Sequence, residues 1–232
     1  MRILAFETSA KAASVAITDD DRLLAETFLN CGLTHSVTLL KAAQELLSLC
    51  DCKTEELTAV ACASGPGSFT GVRIGVAAAK GFAWGAELPC VGVSTLEAMA
   101  QQARQFEGIV CCAMDARREQ VYNALFSCRN GELSRLCDDR AISLVQLADE
   151  LSAFREQKIM LGDGAELCYN TIGKSVCGCR CTPEPQRMQR ASGVALLAKQ
   201  QLLTGVDASG AALRPNYLRL SQAERERLQK EG

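Results

Sequence analysis

Two carboxylates stand where an α/β protein often places catalytic or metal-binding groups. Glu7 directly follows the strand-like apolar run of residues 3–6, and Asp115 follows a second such run at residues 109–114. Open α/β sheets bind ligands at the carboxyl ends of their strands, so we expect both side chains to face one cleft. Paired carboxylates there can hold a magnesium–phosphate group, which suggests a phosphotransferase or an ATPase. The alternative is that both residues simply begin turns.

A glycine-rich stretch at residues 65–75 separates a strand-like run from a small-residue helix. It is not a Walker A loop, because no Gly-Lys-Ser/Thr closes it, and Thr70 occupies the place of the third glycine in a dinucleotide fingerprint. A strand-to-helix turn still directs backbone N–H groups at an anion, so Gly65 and Gly67 are candidate cofactor-binding residues. The alternative is close helix packing, because two sets of small residues recur every four positions: Gly71, Gly75 and Ala79, and Ala77, Gly81 and Gly85.

The only histidine, His35, limits the chemistry available to this chain. A serine-hydrolase triad is disfavoured, because Ser36 would point elsewhere on a helix and no Gly-x-Ser-x-Gly elbow is present. A metal site with two histidines is excluded by count. The cluster Cys177, Cys179 and Cys181 resembles half a metal site, but zinc ribbons need two Cys-x-x-Cys knuckles. We interpret these cysteines as reduced thiols, and we predict no catalytic residue and no metal site.

The composition narrows the class of protein. The 232 residues carry a formal net charge of −2, which argues against a protein that grips nucleic acid alone through a basic face. It does not exclude a subunit that helps another protein do so. No run of about 18 apolar residues predicts a membrane span, and the N-terminus lacks the features of a secretory signal. We therefore expect a cytoplasmic protein that does not bind membranes.

The predicted secondary structure has the order βββαβαβα twice. In the first half, helices are predicted at residues 34–50 and 72–84; in the second, Asn130-Gly131 favours a type I′ hairpin. The division predicts halves at residues 1–106 and 107–220 and a polar tail at 221–232. Two such halves resemble the duplicated ribonuclease-H-like fold of the actin, Hsc70 and acetate and sugar kinase superfamily, whose ligands bind between the halves. Phosphotransferases of that superfamily usually place a glycine-containing turn after the first strand, whereas residues 9–12 contain none.

Several segments also resemble one bacterial family. The matching segments are residues 3–9, Thr34-His35-Ser36, residues 64–75, residues 114–118 with Val121-Tyr122, and residues 215–219. They are similar to the TsaB (YeaZ) family of tRNA threonylcarbamoyladenosine biosynthesis proteins. That family commonly has Asp where Glu7 stands.

The resemblance implies a non-catalytic paralogue of TsaD. TsaD is the catalytic subunit that forms N6-threonylcarbamoyladenosine at position 37 of tRNAs reading codons that begin with A, and it binds metal through two histidines four positions apart on its first helix. His35 keeps the first of these positions, but Leu39 occupies the second. The chain is thus expected to be a scaffold subunit. A glycoprotease-type peptidase is less favoured, because it would need the missing metal ligand.

The resemblance also implies the partners. TsaB proteins pair with TsaD through the two helices at residues 34–50 and 72–84, and in isolation the same surface tends to form a homodimer. The ATPase TsaE completes the complex. This subunit is expected to contact tRNA only indirectly, through the other members of the complex. No cofactor of its own is expected, although ATP or ADP is a possible ligand within the assembled complex. The interface residues we predict are Leu39, Leu40, Leu47, Gly75 and Ala79.

Overall fold

The first half of the chain forms one mixed sheet with helices on both faces. The computed structural model describes residues 1–219, so the predicted tail at 221–232 lies outside the described residues. The strands of this sheet have the order β3-β2-β1-β4-β5, with β1–β2 and β2–β3 antiparallel and the other pairs parallel. The elements are β1 Arg2–Glu7, β2 Ala13–Asp19, β3 Arg22–Leu29, α1 His35–Leu49, β4 Ala59–Gly65, α2 Phe69–Gly85, β5 Cys90–Ser94 and α3 Thr95–Ala100.

The second half repeats this topology. Its sheet has the order β11-β10-β6-β7-β8, and β9 pairs with β7 beside it. The elements are β6 Gly108–Asp115, β7 Gln120–Arg129, β8 Glu132–Arg135, β9 Arg140–Ser143, α4 Leu144–Ser152, β10 Lys158–Leu161, α5 Ala165–Cys168, β11 Cys179–Cys181, α6 Glu184–Arg187 and α7 Ala191–Leu203. The predicted duplicated ribonuclease-H-like fold is confirmed.

Local sequence signals account for most of these elements. The Asn130-Gly131 turn joins β7 to β8 with positive φ at both residues, as a type I′ hairpin requires. The Ser143 side chain and Gln146 form the predicted capping box of α4. Helix α2 begins at Phe69, three residues before the prediction, because the Ser68 hydroxyl accepts a hydrogen bond from the Gly71 N–H and caps the helix within the glycine-rich stretch.

The prediction missed two elements and displaced a third. The sequence predicts no strand at the position of β9, where only four residues pair with β7. The four-residue helix α6 has too few turns to show a helical period. The sequence pattern at residues 175–179 predicts a strand there, but β11 lies at Cys179–Cys181, where three residues pair with β10.

Strands β1 and β6 are buried on both faces, so their side chains enter different cores. In β1, Leu4 and Phe6 pack toward α1 and α2, whereas Ile3 and Ala5 pack toward α7. In β6, Cys111 and Cys112 enter opposite cores, as the alternation of side chains along a strand requires.

Helices α3 and α7 lie between the two sheets. Helix α7 packs on β1 and β2 of the first sheet, although it is the last helix along the chain, and α3 contacts both α7 and β6. The division into residues 1–106 and 107–220 stays a prediction, and the packing of α7 crosses it. Within residues 1–219, no helix is long and apolar enough to cross a membrane.

Candidate ligand cleft and partner surface

A cleft of about 490 Å³ opens where the carboxyl ends of β1 and β6 face each other. Its charged lining residues are Lys11, Asp115, Arg117, Asp163 and Arg219. The volume lies within the range of small-molecule sites. The two strand ends that the sequence singled out are therefore brought together at one cleft.

Glu7 lies beneath the surface of this cleft. The side chain is 1% exposed, and its Oε1 accepts a hydrogen bond of 2.6 Å from the Ser9 N–H. Burial raises the pKa of Glu7 to about 7, although its hydrogen bonds to Ser9 lower the pKa in part; nearby Asp163 raises it further. Asp115, by contrast, is exposed, and its Oδ1 accepts from the Arg117 N–H at 2.7 Å. The two carboxylates thus occupy unlike environments and do not form a symmetric pair.

Asp163 is a cleft residue that the prediction missed. It lies just after β10, and burial raises the pKa of its carboxyl, while the Gln189 Nε2, which donates at 2.7 Å, lowers it in part. The signal was present in the sequence, since Gly162-Asp163-Gly164 follows the strand-like residues 159–161. The rule of strand ends that selected Glu7 and Asp115 selects Asp163 as well.

The glycines at the start of α2 serve close packing. A Cβ on Gly65 would lie 2.5 Å from the Asn216 carbonyl oxygen, and one on Gly67 would lie 2.5 Å from the Ser9 carbonyl oxygen. Gly71 and Gly75 meet Thr8 at the end of β1. The packing interpretation is confirmed for Gly71, Gly75 and Ala79 but is wrong for the second set, because Ala77, Gly81 and Gly85 are exposed. The use of Gly65 and Gly67 for a cofactor stays a prediction.

His35 holds the turn that follows β1. Its Nε2 lies 2.9 Å from the Ala10 carbonyl oxygen, so this nitrogen donates and carries the proton. Leu39, which the family resemblance places at the second histidine position of TsaD, is 1% exposed and belongs to the core under α1. Among residues 1–219, no group of three or more His, Cys, Asp or Glu side chains is placed to hold a metal ion.

The cysteine cluster lies at an edge of the second sheet. All thirteen cysteines fall within residues 1–219 and are free thiols. Cys179 and Cys181 are half-buried on β11 and pack against the core under α4, whereas Cys177 precedes the strand and is exposed. Packing in the core therefore explains Cys179 and Cys181 but not Cys177.

Three of the predicted interface residues need correction. Leu39, Gly75 and Ala79 are buried inside this chain's own fold, so they cannot contact a partner. Gly75 and Ala79 belong to the small-residue stripe that faces β1. Their small size allows α2 to lie close to the end of β1. Leu40 is 48% exposed, and Leu47 is half-buried.

The exposed surface of these two helices consists of residues other than Leu39, Gly75 and Ala79. Helices α1 and α2 contact each other on one side of the first sheet. We call their exposed apolar and small residues the α1–α2 face: Val37, Leu40, Ala77, Gly81 and Trp84. Trp84 is 87% exposed, and a Cβ on Gly81 would meet nothing within 4 Å. Large exposed apolar side chains next to a flat helix surface are typical of a protein–protein contact.

Comparison with known proteins gives consistent results. A family model described as "TsaD: tRNA N6-adenosine threonylcarbamoyltransferase" matches residues 30–227. The chain is 35% identical to the tRNA threonylcarbamoyladenosine biosynthesis protein TsaB of Bacillus subtilis (strain 168), over 97% of this chain and 96% of that protein. It is 45% identical over 124 residues to the protein of the same name from Escherichia coli (strain K12), covering 53% of each.

A solved structure from Pseudomonas aeruginosa has the same fold. That protein is described as uncharacterized with similarity to peptidase YEAZ. It superposes with a TM-score of 0.80 at 25% sequence identity, covering 94% of this chain and 99% of that one.

Proposed function

This chain belongs to the TsaB family of tRNA threonylcarbamoyladenosine biosynthesis proteins, and on that basis we propose that it is a non-catalytic subunit that pairs with and stabilises the transferase TsaD. The family membership gives the role in tRNA modification. The pairing, the lack of activity of its own and the contact with tRNA through the complex are the parts that we propose.

The α1–α2 face is the observation that carries the pairing. Its members come from two neighbouring helices, and Ala77 and Gly81 leave α2 open to close approach by another helix. Trp84 supplies a large aromatic side chain of the kind that often dominates the binding energy of such contacts, and Leu40 adds apolar area beside it. In isolation, two copies of the chain would cover the same surface. TsaE would complete the complex.

The environment of His35 supports a non-catalytic role. Its Nε2 donates a hydrogen bond to the Ala10 carbonyl oxygen, and Leu39 is part of the core. Neither a metal-dependent transferase nor a peptidase centre is assembled from these two positions. We expect the purified chain to have no transferase activity, and we expect the reaction to require it together with TsaD. Full tRNA modification in a reaction that lacks this chain would overturn the proposal.

A matched pair of leucines on α1 tests the pairing. Leu40 and Leu49 are both exposed, at 48% and 82%, but nine positions place them about 180° apart around the helix. Leu40→Glu should weaken binding to TsaD by about tenfold or more, because a charge would be buried at the contact. Leu49→Glu is the control and should bind like the unmodified chain. The measurement is the dissociation constant by calorimetry, and equal affinity of the two variants contradicts the α1–α2 face.

Nucleotide binding in the cleft is the second candidate function. The cleft places the cations Lys11 and Arg117 near the carboxylates Asp115 and Asp163, which suits a magnesium–phosphate group. ATP or ADP would then bind within the assembled complex, and a phosphotransferase activity would use Glu7 and Asp115. Calorimetry with magnesium–ATP on the chain, alone and with TsaD, tests this candidate. Heat of binding that is lost in Asp115→Asn supports it, and no heat in either sample removes it.

A further inference from the structure

The last described residues cross from the first half of the fold to the second. We call residues 213–219 the strap. Its Leu213 side chain is buried in the core under α2, and the Asn216 N–H donates to the Ser64 carbonyl at 2.7 Å. Gly65 has a φ of +117° and no side chain, so the Asn216 backbone can lie directly on the end of β4. The strap is therefore seated on the first half by its backbone.

One end of the strap is held on the first turn of α2. The Tyr217 ring stacks on Phe69 with centroids 4.7 Å apart, and Arg73 Nε donates to the Tyr217 hydroxyl at 2.7 Å. The Arg73 guanidinium also lies 3.8 Å from the centroid of the Phe69 ring. Arg73 is exposed and stands four positions before Ala77 on the same side of α2. It therefore belongs both to the strap contact and to the edge of the α1–α2 face.

The other end of the strap reaches the second half. The Arg219 guanidinium donates to the Ala116 carbonyl, at the start of the turn that follows β6. In this turn Arg117, Arg118 and Glu119 have φ values of 66°, 55° and 57°, which side-chain-bearing residues adopt only where their surroundings hold them. The Arg117 N–H bond to Asp115 is one such constraint, and Arg219 supplies another.

We propose that the strap links the α1–α2 face to the turn at residues 117–119, so that a protein seated beside Arg73 holds Tyr217 in place and keeps this wall of the cleft ordered. Four strap residues line the cleft: Asn216, Tyr217, Leu218 and Arg219. Loss of the Tyr217 contact would free this wall and release Arg219 from the turn. The identity of the docked protein as TsaD rests on the proposed function; the link across the cleft does not.

Amide hydrogen exchange in the free chain tests the link. Ala116 N–H donates to the Gln120 carbonyl at 3.0 Å, and Gln120 N–H donates to the Arg117 carbonyl at 3.2 Å, so both report on the turn. In Tyr217→Ala, these two amides should exchange about fivefold faster, as expected for the loss of one aromatic contact. Arg73→Gln is a milder second variant and should act in the same direction.

Leu49→Ala is the control, because it removes an exposed apolar side chain on α1 that belongs neither to the strap nor to the α1–α2 face. It should leave exchange at Ala116 and Gln120 unchanged. Amides in the centre of β1 should be unchanged in all variants, which excludes a loss of global stability. Unchanged exchange at Ala116 and Gln120 in both Tyr217→Ala and Arg73→Gln overturns the link.

Addition of TsaD separates this proposal from the proposed function. If TsaD binds, exchange at Asn216 and Gln120 should slow about fivefold or more in the unmodified chain. Binding without any slowing at Gln120 overturns the link. If TsaD does not bind, the proposed function fails, and the variants of the free chain still decide whether the strap links the two halves.

Discussion

The surroundings of Glu7 disfavour the ionised form of its carboxyl group. It is buried at the end of β1, and its Oε1 accepts from the Ser9 N–H, while Asp163 lies near enough to raise its pKa. Within residues 1–219, the Glu7 carboxyl forms no hydrogen bond or ion pair with a cationic side chain. A buried carboxyl of this kind either awaits a cation in the cleft or exchanges a proton near neutral pH.

The pH dependence of stability follows from the pKa of Glu7. Burial raises this pKa from 4.5 to about 7, so the folded chain holds the proton more tightly than the unfolded chain. The resulting stability is fully present below about pH 4.5 and is lost as the pH rises through 7. Glu7→Gln removes this loss, so at pH 8 the variant should exceed the unmodified chain by about 3 kcal/mol in free energy of unfolding.

Urea unfolding at pH 4.5, 6 and 8 measures this difference. The Gln side chain keeps the oxygen that accepts from Ser9, so the two proteins should have similar stability at pH 4.5. The control is Glu55→Gln, because Glu55 is exposed. A Glu7→Gln variant that is less stable than the unmodified chain at pH 8 contradicts the assignment.

Helix α2 packs on the sheet with one of its faces and presents another face to solvent, where a partner can bind. Its two small-residue stripes look alike in sequence, but Gly71, Gly75 and Ala79 face β1, whereas Ala77 and Gly81 face outward. The sequence period shows that both stripes exist. It does not show which one faces the sheet, because that depends on how α2 leaves the turn at Gly65 and Gly67.

Two glycine substitutions on α2 should act in opposite directions. A Cβ on Gly75 would collide with the Thr8 side chain, so Gly75→Ala should destabilise the fold by about 1–3 kcal/mol. A Cβ on Gly81 meets nothing within 4 Å, so Gly81→Ala should stabilise it by about 0.5–1 kcal/mol through helix propensity. Thermal unfolding of both variants checks the pair. Equal effects would contradict the orientation of α2.

At the scale of the whole molecule, two further contacts unite the halves, in addition to the strap and the packing of α3 on β6. Helix α7 covers Ile3 and Ala5 of the first sheet. In addition, the Arg135 guanidinium of the second half binds Glu97 at 2.7 Å and Asp139 at 2.8 Å, and the Ser94 hydroxyl donates to Asp139 at 2.5 Å. The molecule is thus one packed unit built from two repeats.

A fragment of residues 1–106 should not fold cooperatively by itself. Without α7, one face of β1, β2 and β4 loses its apolar cover, and exposed apolar area of that size removes more stability than a small domain possesses. Circular dichroism during urea titration measures this. Co-expression with residues 107–232 is the control and should restore a cooperative transition. A cooperative transition in the isolated fragment contradicts the role of α7.

Local patterns were sufficient for the order of the longer elements, the duplication, the Asn130-Gly131 hairpin, the cap at Ser143, and the placement of Glu7 and Asp115 at strand ends beside one cleft. These follow from side-chain period, turn chemistry and the polarity of strands, which act over a few residues. Family membership followed from longer matching segments.

Tertiary packing alone decided the rest. It placed α7 on the first sheet, buried Leu39, Gly75 and Ala79, lowered Glu7 beneath the cleft floor and laid Tyr217 on Phe69. Each of these depends on contacts between residues far apart along the chain. Such contacts leave no periodic pattern in the sequence, because their geometry is determined only when whole helices and sheets pack against one another.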